Sequence, residues 1–313
     1  MDRRQFTKLG LASGIALVLG KQDAQPAAPG PEVAITMDDF NWAADSVRLT
    51  GPERNQAILK SLRAHSIKAA LFVKGSNADN EAGRVLLGAW NAEGHLIGNH
   101  SYSHQYYHSA KVSFEQFQAD ILRCESVLKG FSRYEKIFRF PYLKEGDSTA
   151  KRDAMRTFLK QHGYRNGHVT IDASDWAIDQ RLEKRVTANP DVDLNPYRSF
   201  YLAHIWERAQ YYDELAQKVM RRRVKHTLLV HFNLLNALFL SDLITMFKEK
   251  GWRLIDATAA FADPLFKAQP KIVPAGESLI WALAKETGRF EKVLRYPGED
   301  AEYEVGRMEK LGL

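Results

Sequence analysis

Five short stretches of the chain carry residue types able to do chemistry: Asp38-Asp39, His100 with His104, Arg139-Phe140-Pro141-Tyr142, Asp172 with Asp175-Trp176, and His231. Two imidazoles and one carboxylate form the donor set of a catalytic zinc with an open position for water, and zinc held this way brings the pKa of that water toward about 7. A second carboxylate beside the first can then take the proton, which gives the two neighbouring aspartates separate tasks. No stretch is specific by itself. Ten histidines in 313 residues bring some pairs four apart by chance, and His104 with His108 is a second such pair. Paired aspartates are commonly solvated loop residues or helix caps. What raises all five is position, because each stands where an apolar run stops. In parallel α/β barrels the reactive groups lie at the C-terminal ends of the strands.

Those apolar runs belong to a β-then-α rhythm that starts at Glu32. Strands are expected at 33–37, 67–73, 95–99, 136–140, 168–171, 227–232 and 252–255. Helices are expected at 53–65, 80–92, 114–130, 149–162, 196–223 and 235–250. Ser113 with Gln116 three residues on is a capping box at the start of one of them. This alternation favours a single α/β domain over residues 32–261, a distorted (β/α)7-8 barrel rather than an open doubly wound sheet, although periodicity does not decide closure. Residues 262–313 leave the rhythm. One helix is expected there, at 277–286, and the segment is expected to pack on the barrel exterior as an appendage.

Composition excludes several classes. With 45% hydrophobic and 26% charged residues, the chain is neither a disordered tail nor a polytopic membrane protein. Cys124 is the only cysteine, so packing and not an intramolecular disulfide must hold the fold. The net charge of +6 owes a third of its value to residues 1–23, where Arg3, Arg4, Lys8 and Lys21 face Asp2 and Asp23; what remains is too mild for a nucleic-acid groove. Residues 1–28 read as a signal peptide and linker: a basic start, a twelve-residue apolar run at 9–20 too short to span a bilayer, and a small-residue exit. Arg3-Arg4, followed by Phe6 and Lys8, resembles the twin-arginine export pattern, with an ordinary secretory signal as the alternative. The expectation is export, to the periplasm, with the twin-arginine machinery as partner and no stable transmembrane span.

Taken in order, Thr36-Met37-Asp38-Asp39, His100-Ser101-Tyr102-Ser103-His104, Arg139-Phe140-Pro141-Tyr142, Asp172-Ala173-Ser174-Asp175-Trp176 and Leu229-Val230-His231 resemble the five motifs of the polysaccharide deacetylase family, the NodB-homology group or carbohydrate esterase family 4. The resemblance implies a distorted barrel and metal-dependent removal of acetyl groups from a glycan. It implies that Asp38 is the general base, that Asp39, His100 and His104 bind the metal, and that His231 is the general acid. Arg139 would hold Asp38, Asp175 would orient and charge His231, and Tyr142 would offer its backbone N–H to the oxyanion. Asp172, Pro141, Trp176 and Leu229 would border the sugar or acetyl pocket. Zinc is the expected metal, with cobalt or nickel compatible with the same ligands.

Two departures bear on substrate. Phe40-Asn41-Trp42 follow the aspartates where the family commonly has Gly-Pro, which places Phe40 as a bulky wall of the groove. Leu143-Lys144-Glu145 separate Tyr142 from Gly146, so the oxyanion loop is expected to differ. The reading is an N-acetyl deacetylase of peptidoglycan-like or chitin-like oligosaccharides. The alternatives are an O-acetyl glycan esterase, a hydrolase of a non-sugar amide, and a catalytically idle glycan-binding protein. Trp206, Tyr211 and Tyr212 are expected in helix core more than in a cleft wall, and Tyr106, Tyr107 and His108 in a surface loop more than in a subsite. His95, His162, His168, His204 and His226 are expected to be structural or solvated.

Overall fold

A computed structural model describes residues 30–44, 46–273, 278–295 and 301–313; the expected export signal lies outside them. The first strand, β1 (Glu32–Asp39), is apolar through Met37 because it is the buried spine of the sheet: Val33, Ala34, Ile35 and Met37 are at most 1% exposed. It is followed by α1 (Gly51–Ala64), β2 (Ala70–Val73), α2 (Gly75–Ala78), α3 (Glu81–Ala92), β3 (Leu96–Asn99), α4 (Phe114–Leu128), β4 (Tyr134–Phe138), α5 (Thr149–Gln161) and β5 (Arg165–Asn166). Then come α6 (Asp175–Ala188), α7 (Asn195–Met220), β6 (Lys225–His231), α8 (Leu234–Glu249), β7 (Arg253–Leu254), α9 (Ala257–Phe261), α10 (Leu279–Glu286) and α11 (Glu302–Lys310). All strand pairs are parallel, in the order β5-β4-β3-β2-β1-β6, with β7 paired to the start of β1.

Register sets the site. Asp38 pairs with His231, Asp39 with Val73, Val73 with Asn99, and Asn99 with Phe138. The C-terminal ends of β1, β6, β2, β3 and β4 therefore lie level. His100 and Arg139, the next residues after β3 and β4, emerge beside the aspartates.

The sheet curls into a half-barrel. Its far edge returns toward β6 through residues 167–171, where Thr170 N–H donates to the Thr227 carbonyl (3.2 Å) and Ile171 forms a single parallel bridge with Leu228. The strand expected at 168–171 is thus reduced to that bridge, and β5 lies just before it. The chain bends at Gly167, where a Cβ would fall 2.6 Å from the ring of Phe72, and then crosses to β6 instead of running beside β4.

Four helices escaped the sequence reading, the short α2 and α9 and the longer α6 and α11. α6 has no capping bond from Ser174, and its first residue, Asp175, is engaged elsewhere, so the usual start signal is missing although Ile178, Leu182 and Val186 supply a buried face at helical spacing. α11 lies in the C-terminal segment. That segment is also less peripheral than expected. Leu279 donates to the Val169 carbonyl (2.7 Å) and Ser278 Oγ to the Thr170 carbonyl (2.8 Å), against the crossing stretch. Leu279, Ile280, Trp281, Ala284 and Met308 join the main core; each such large apolar side chain, fully buried, contributes about 1.5–3 kcal/mol. Among the described residues no helix is long and apolar enough to cross a membrane.

Candidate active site

Adjacent side chains on a strand face opposite ways. The aspartates overcome this because the chain turns into the left-handed region at Asp39 (φ 78°) and Phe40 (φ 52°). Asn77 pins the turn, its side-chain amide donating to the carbonyls of both residues at 3.2 Å. Both carboxylates consequently reach His100 Nε2, Asp38 Oδ2 at 3.7 Å and Asp39 Oδ1 at 3.5 Å. The same turn drives Phe40 inward. It is 0% exposed and packs edge-on against Phe232 at 5.4 Å, so the expectation that it walls a substrate groove is corrected: a large apolar ring gains more from the core than from the mouth.

His100 donates from Nδ1 to the Arg139 carbonyl (2.8 Å), which leaves Nε2 as the acceptor facing the carboxylates. His104 Nε2 stands 3.2 Å from Asp39 Oδ1. Its loop is compact, with Ser101 (φ 61°) and His104 (φ 60°) both left-handed. Asp120 clamps that loop, accepting from the Tyr102 and Ser103 N–H groups at 3.0 Å and from Ser103 Oγ at 2.8 Å. The expected capping box, Ser113 with Gln116, starts the helix that carries Asp120. Donor atoms of Asp39, His100 and His104 all lie within 4.8 Å of one another. Asp39 Oδ1 is buried and makes no hydrogen bond, although it faces two imidazole nitrogens. A buried carboxylate oxygen without a hydrogen bond, facing two imidazole nitrogens, suits a divalent cation. Burial alone would raise the Asp39 carboxyl, but His100, His104 and the charge of His231 hold it well below the usual carboxylate range.

Asp38 is 2% exposed and bound to Arg139, Nη1 to Oδ1 at 2.6 Å. Arg139 is itself fixed by Gly167 O (Nε, 2.7 Å) and Thr36 Oγ1 (Nη1, 3.0 Å), with its guanidinium 3.9 Å above the ring of Phe72. Gly98 makes room for that ring, since a Cβ there would meet it at 2.7 Å.

On the opposite side, His231 Nδ1 donates to Asp175 Oδ1 (2.7 Å), and its backbone N–H donates to Oδ2 (2.9 Å). Asn233 and Asn236 also donate to Oδ2, at 3.0 and 2.7 Å. Burial by itself would lower the His231 pKa; the Asp175 carboxylate outweighs it, with help from Asp39 and Asp38, and the imidazole is pushed up to about 10. Asp172 lies near both Arg208 and His231, with its carboxyl raised by burial.

The remaining expected residues take varied places. Tyr142 adopts φ 58° and ψ 14° and leaves its ring 58% exposed. Pro141 is buried, and Leu229 packs with Leu143 and Val169 in a small apolar cluster. Trp176 is half-buried at the first turn of α6. Glu145, in the altered oxyanion loop, is fully buried and paired with Arg156 at 2.6 Å. Tyr212 is buried core, and Trp206 packs on Phe247 and Trp252. Tyr107 is likewise buried, stacked on Phe117. Tyr106 and His108 are not remote, because rings follow one another outward from the site: His104 to Tyr142 at 4.8 Å, Tyr142 to Tyr106 at 4.8 Å, Tyr106 to His108 at 5.6 Å. His108 also donates from Nδ1 to the Gly146 carbonyl (2.8 Å), joining the two loops. Sequence reasoning missed Asp120, Asn77, Asn233 and Asn236. Only Asn233 carried a local signal, as the N-cap of α8.

Fold and site together define a parallel half-barrel with a three-donor cation site, flanked by a carboxylate–arginine pair and an imidazole–carboxylate pair. Residues 25–167 match the family model for polysaccharide deacetylase. Over 114 residues the chain is 37% identical to the peptidoglycan-N-acetylglucosamine deacetylase of Bacillus cereus, a match covering 36% of each protein, so the chain spans about a third of the length of that curated relative. Among solved structures, a Bacillus anthracis carbohydrate esterase family 4 pseudoenzyme, in a variant with restored activity, shares the fold with a TM-score of 0.51 at 19% identity, over 74% of this chain and 67% of that one. The chitin deacetylase of Colletotrichum lindemuthianum also has a TM-score of 0.51, at 20% identity, over 75% of this chain and 89% of that one. Over residues 25–167 the chain is thus similar to polysaccharide deacetylase domains, and its fold is shared with carbohydrate esterase family 4 structures.

Proposed function

We propose that the protein is an exported, metal-dependent hydrolase that removes N-acetyl groups from amino-sugar glycans of the peptidoglycan or chitin type, with zinc as its metal and the periplasm as its compartment. The observation that carries this reading is the placement of two proton-transfer groups around one donor cluster. Asp38 is hydrogen-bonded to Arg139, and His231 is kept protonated beside Asp175. A pseudoenzyme among the structural relatives shows that the fold alone does not carry activity, so the argument rests on these side chains.

Asp39, His100 and His104 would hold the ion, which when bound supplies Lewis-acid polarisation of the acetyl carbonyl and of water. Asp38 has Oδ1 committed to Arg139, so Oδ2 is the oxygen that takes the proton from the attacking water. An amide nitrogen leaves only as a protonated amine. His231, with Nδ1 tied to Asp175, presents its Nε2 proton for that step. The Tyr142 N–H steadies the developing oxyanion. The ring row from exposed Tyr142 through half-buried Tyr106 to His108 offers flat faces beside the cluster, which suits the C–H faces of sugar rings more than a small free amide.

Acetate release from N-acetylglucosamine oligomers, compared with acetylated xylan and run alongside metal analysis of the purified protein, tests the reading. Release from the oligomers with one metal per chain is the expected result. Preference for xylan would replace it with the esterase reading, and no release from either would remove it.

A further inference from the structure

The turn that delivers Asp175 to His231 is strained and is held from outside the matched family domain. Ser174, directly before Asp175, sits at φ 44° and ψ 37°, a left-handed conformation that a non-glycine residue keeps only where its surroundings impose it. Two side chains of α7 impose it. His204 Nε2 donates to the Ala173 carbonyl at 2.8 Å, and Arg208 Nε donates to the Asp172 carbonyl at 3.1 Å. Both are buried, at 0% and 2% exposure. Behind them stands Glu304, in the first turn of α11 and 1% exposed, with Oε1 3.2 Å from His204 Nε2 and its charge facing Arg208. Burial keeps His204 neutral near physiological pH, lowering it to about 4, so its Nε2 hydrogen serves the Ala173 carbonyl with Glu304 Oε1 beside it at 3.2 Å.

We propose that Glu304, acting through His204 and Arg208, is a positioning residue for the catalytic acid, so that the C-terminal segment forms the outer support of the Asp175–His231 pair. The links run outward to inward: Glu304 touches His204 and acts on Arg208 through its charge, these two side chains hold two successive carbonyls, and the carbonyls hold the left-handed turn that aims the Asp175 carboxylate at the imidazole. Arg307, on the same helix, makes a contrasting contact. It pairs with Glu207 at 2.6 Å on the surface, both side chains 45% exposed, and makes no hydrogen bond or ion pair with His204, Arg208 or Glu304. The inference rests on the reading of His231 as the acid that protonates a leaving amine.

The test compares Glu304→Ala, Glu304→Gln and Arg307→Ala in the full-length, metal-loaded protein. Glu304→Ala is expected to lower kcat on an N-acetylglucosamine oligomer about tenfold, in the range typical for outer-shell partners, with KM changed less than about twofold. Turnover of 4-nitrophenyl acetate, whose leaving group needs no proton, is expected to stay within about twofold. Glu304→Gln, which keeps the shape and an acceptor, should recover most of the amide activity, and Arg307→Ala should behave as the unsubstituted protein. Adding Ser174→Gly to Glu304→Ala should restore part of the loss by relieving the turn. Equal loss on amide and ester, or the same split in Arg307→Ala, would overturn the proposal. A substrate-free readout separates it from the functional reading: the downfield proton resonance of His231 Nδ1–H should broaden or move in Glu304→Ala and not in Arg307→Ala. If no glycan substrate is turned over, the deacetylase reading falls while this resonance still decides whether Glu304 supports the pair.

Discussion

The two flanks of the site are built on different plans. On the metal side, Asp39 ends β1 and His100 and His104 lie in the loop after β3; all three lie inside the family match and are held by main-chain groups and two side chains, Asn77 and Asp120. On the acid side, Asp175 and His231 are separated by 56 residues, lie beyond that match, and are held by side chains from α7 and α8. A ligand set needs only correct atoms at correct places, which short turns provide. A protonated imidazole at neutral pH needs a buried, multiply hydrogen-bonded carboxylate, and burial is a property of long-range packing.

The comparison can be broken first at the centre it flanks. Asp38→Asn is expected to reduce turnover by about a thousandfold or more while leaving near one metal per chain; loss of metal instead would exchange the tasks of the two aspartates. His231→Ala should then separate the flanks. Amide hydrolysis is expected to fall by about 10²–10³, activated esters by an order of magnitude less, with metal content kept. Equal losses would deprive His231 of its role as acid. On the metal side, Asp120→Ala should weaken metal affinity by about 10–100-fold, read by competition with a chelator, while a fully loaded sample keeps its preference between amide and ester.

Proton linkage sharpens the same contrast. His231 has a folded pKa of about 10, above its ordinary value, so its protonated form persists through neutral pH and is lost as pH rises through the folded value. The stability contributed by the Asp175 pair follows the same direction: fully present below the unfolded pKa of about 6.5 and lost toward pH 10. Amide turnover should accordingly hold through neutral pH and decline on an alkaline limb as His231 loses its proton, and removal of Asp175 should move that limb to lower pH. The smallest expected change is at the rim. Tyr106→Ala should raise KM for a tetrasaccharide about threefold and leave kcat and the single-sugar substrate unaffected, if the ring row carries outer sugar units.

Legibility in the sequence followed the same division. Asp38, Asp39, His100, His104, Arg139 and His231 stood out because each ends an apolar run, and strand ends are local features. Seven of the expected helices and six of the seven expected strands overlap elements of the structure. The stretch at 168–171 misled because Thr170 and Ile171 have strand composition but cross to β6 at a single bridge. Phe40 misled because one left-handed turn reverses which way a ring points, and no composition signals that. Asp120, Asn236 and Glu304 were invisible for a shared reason: each is an ordinary polar helix residue until folding brings its partner from 17 to 100 residues away.

The pairing of Asp38 with His231 across adjacent parallel strands has one more consequence. Neighbouring strands keep a spacing of about 4.7–4.9 Å whatever the loops above them do. The sheet therefore works as a ruler: the separation of the proposed base and the proposed acid is written into the backbone, and loops at the rim can change without re-gauging it.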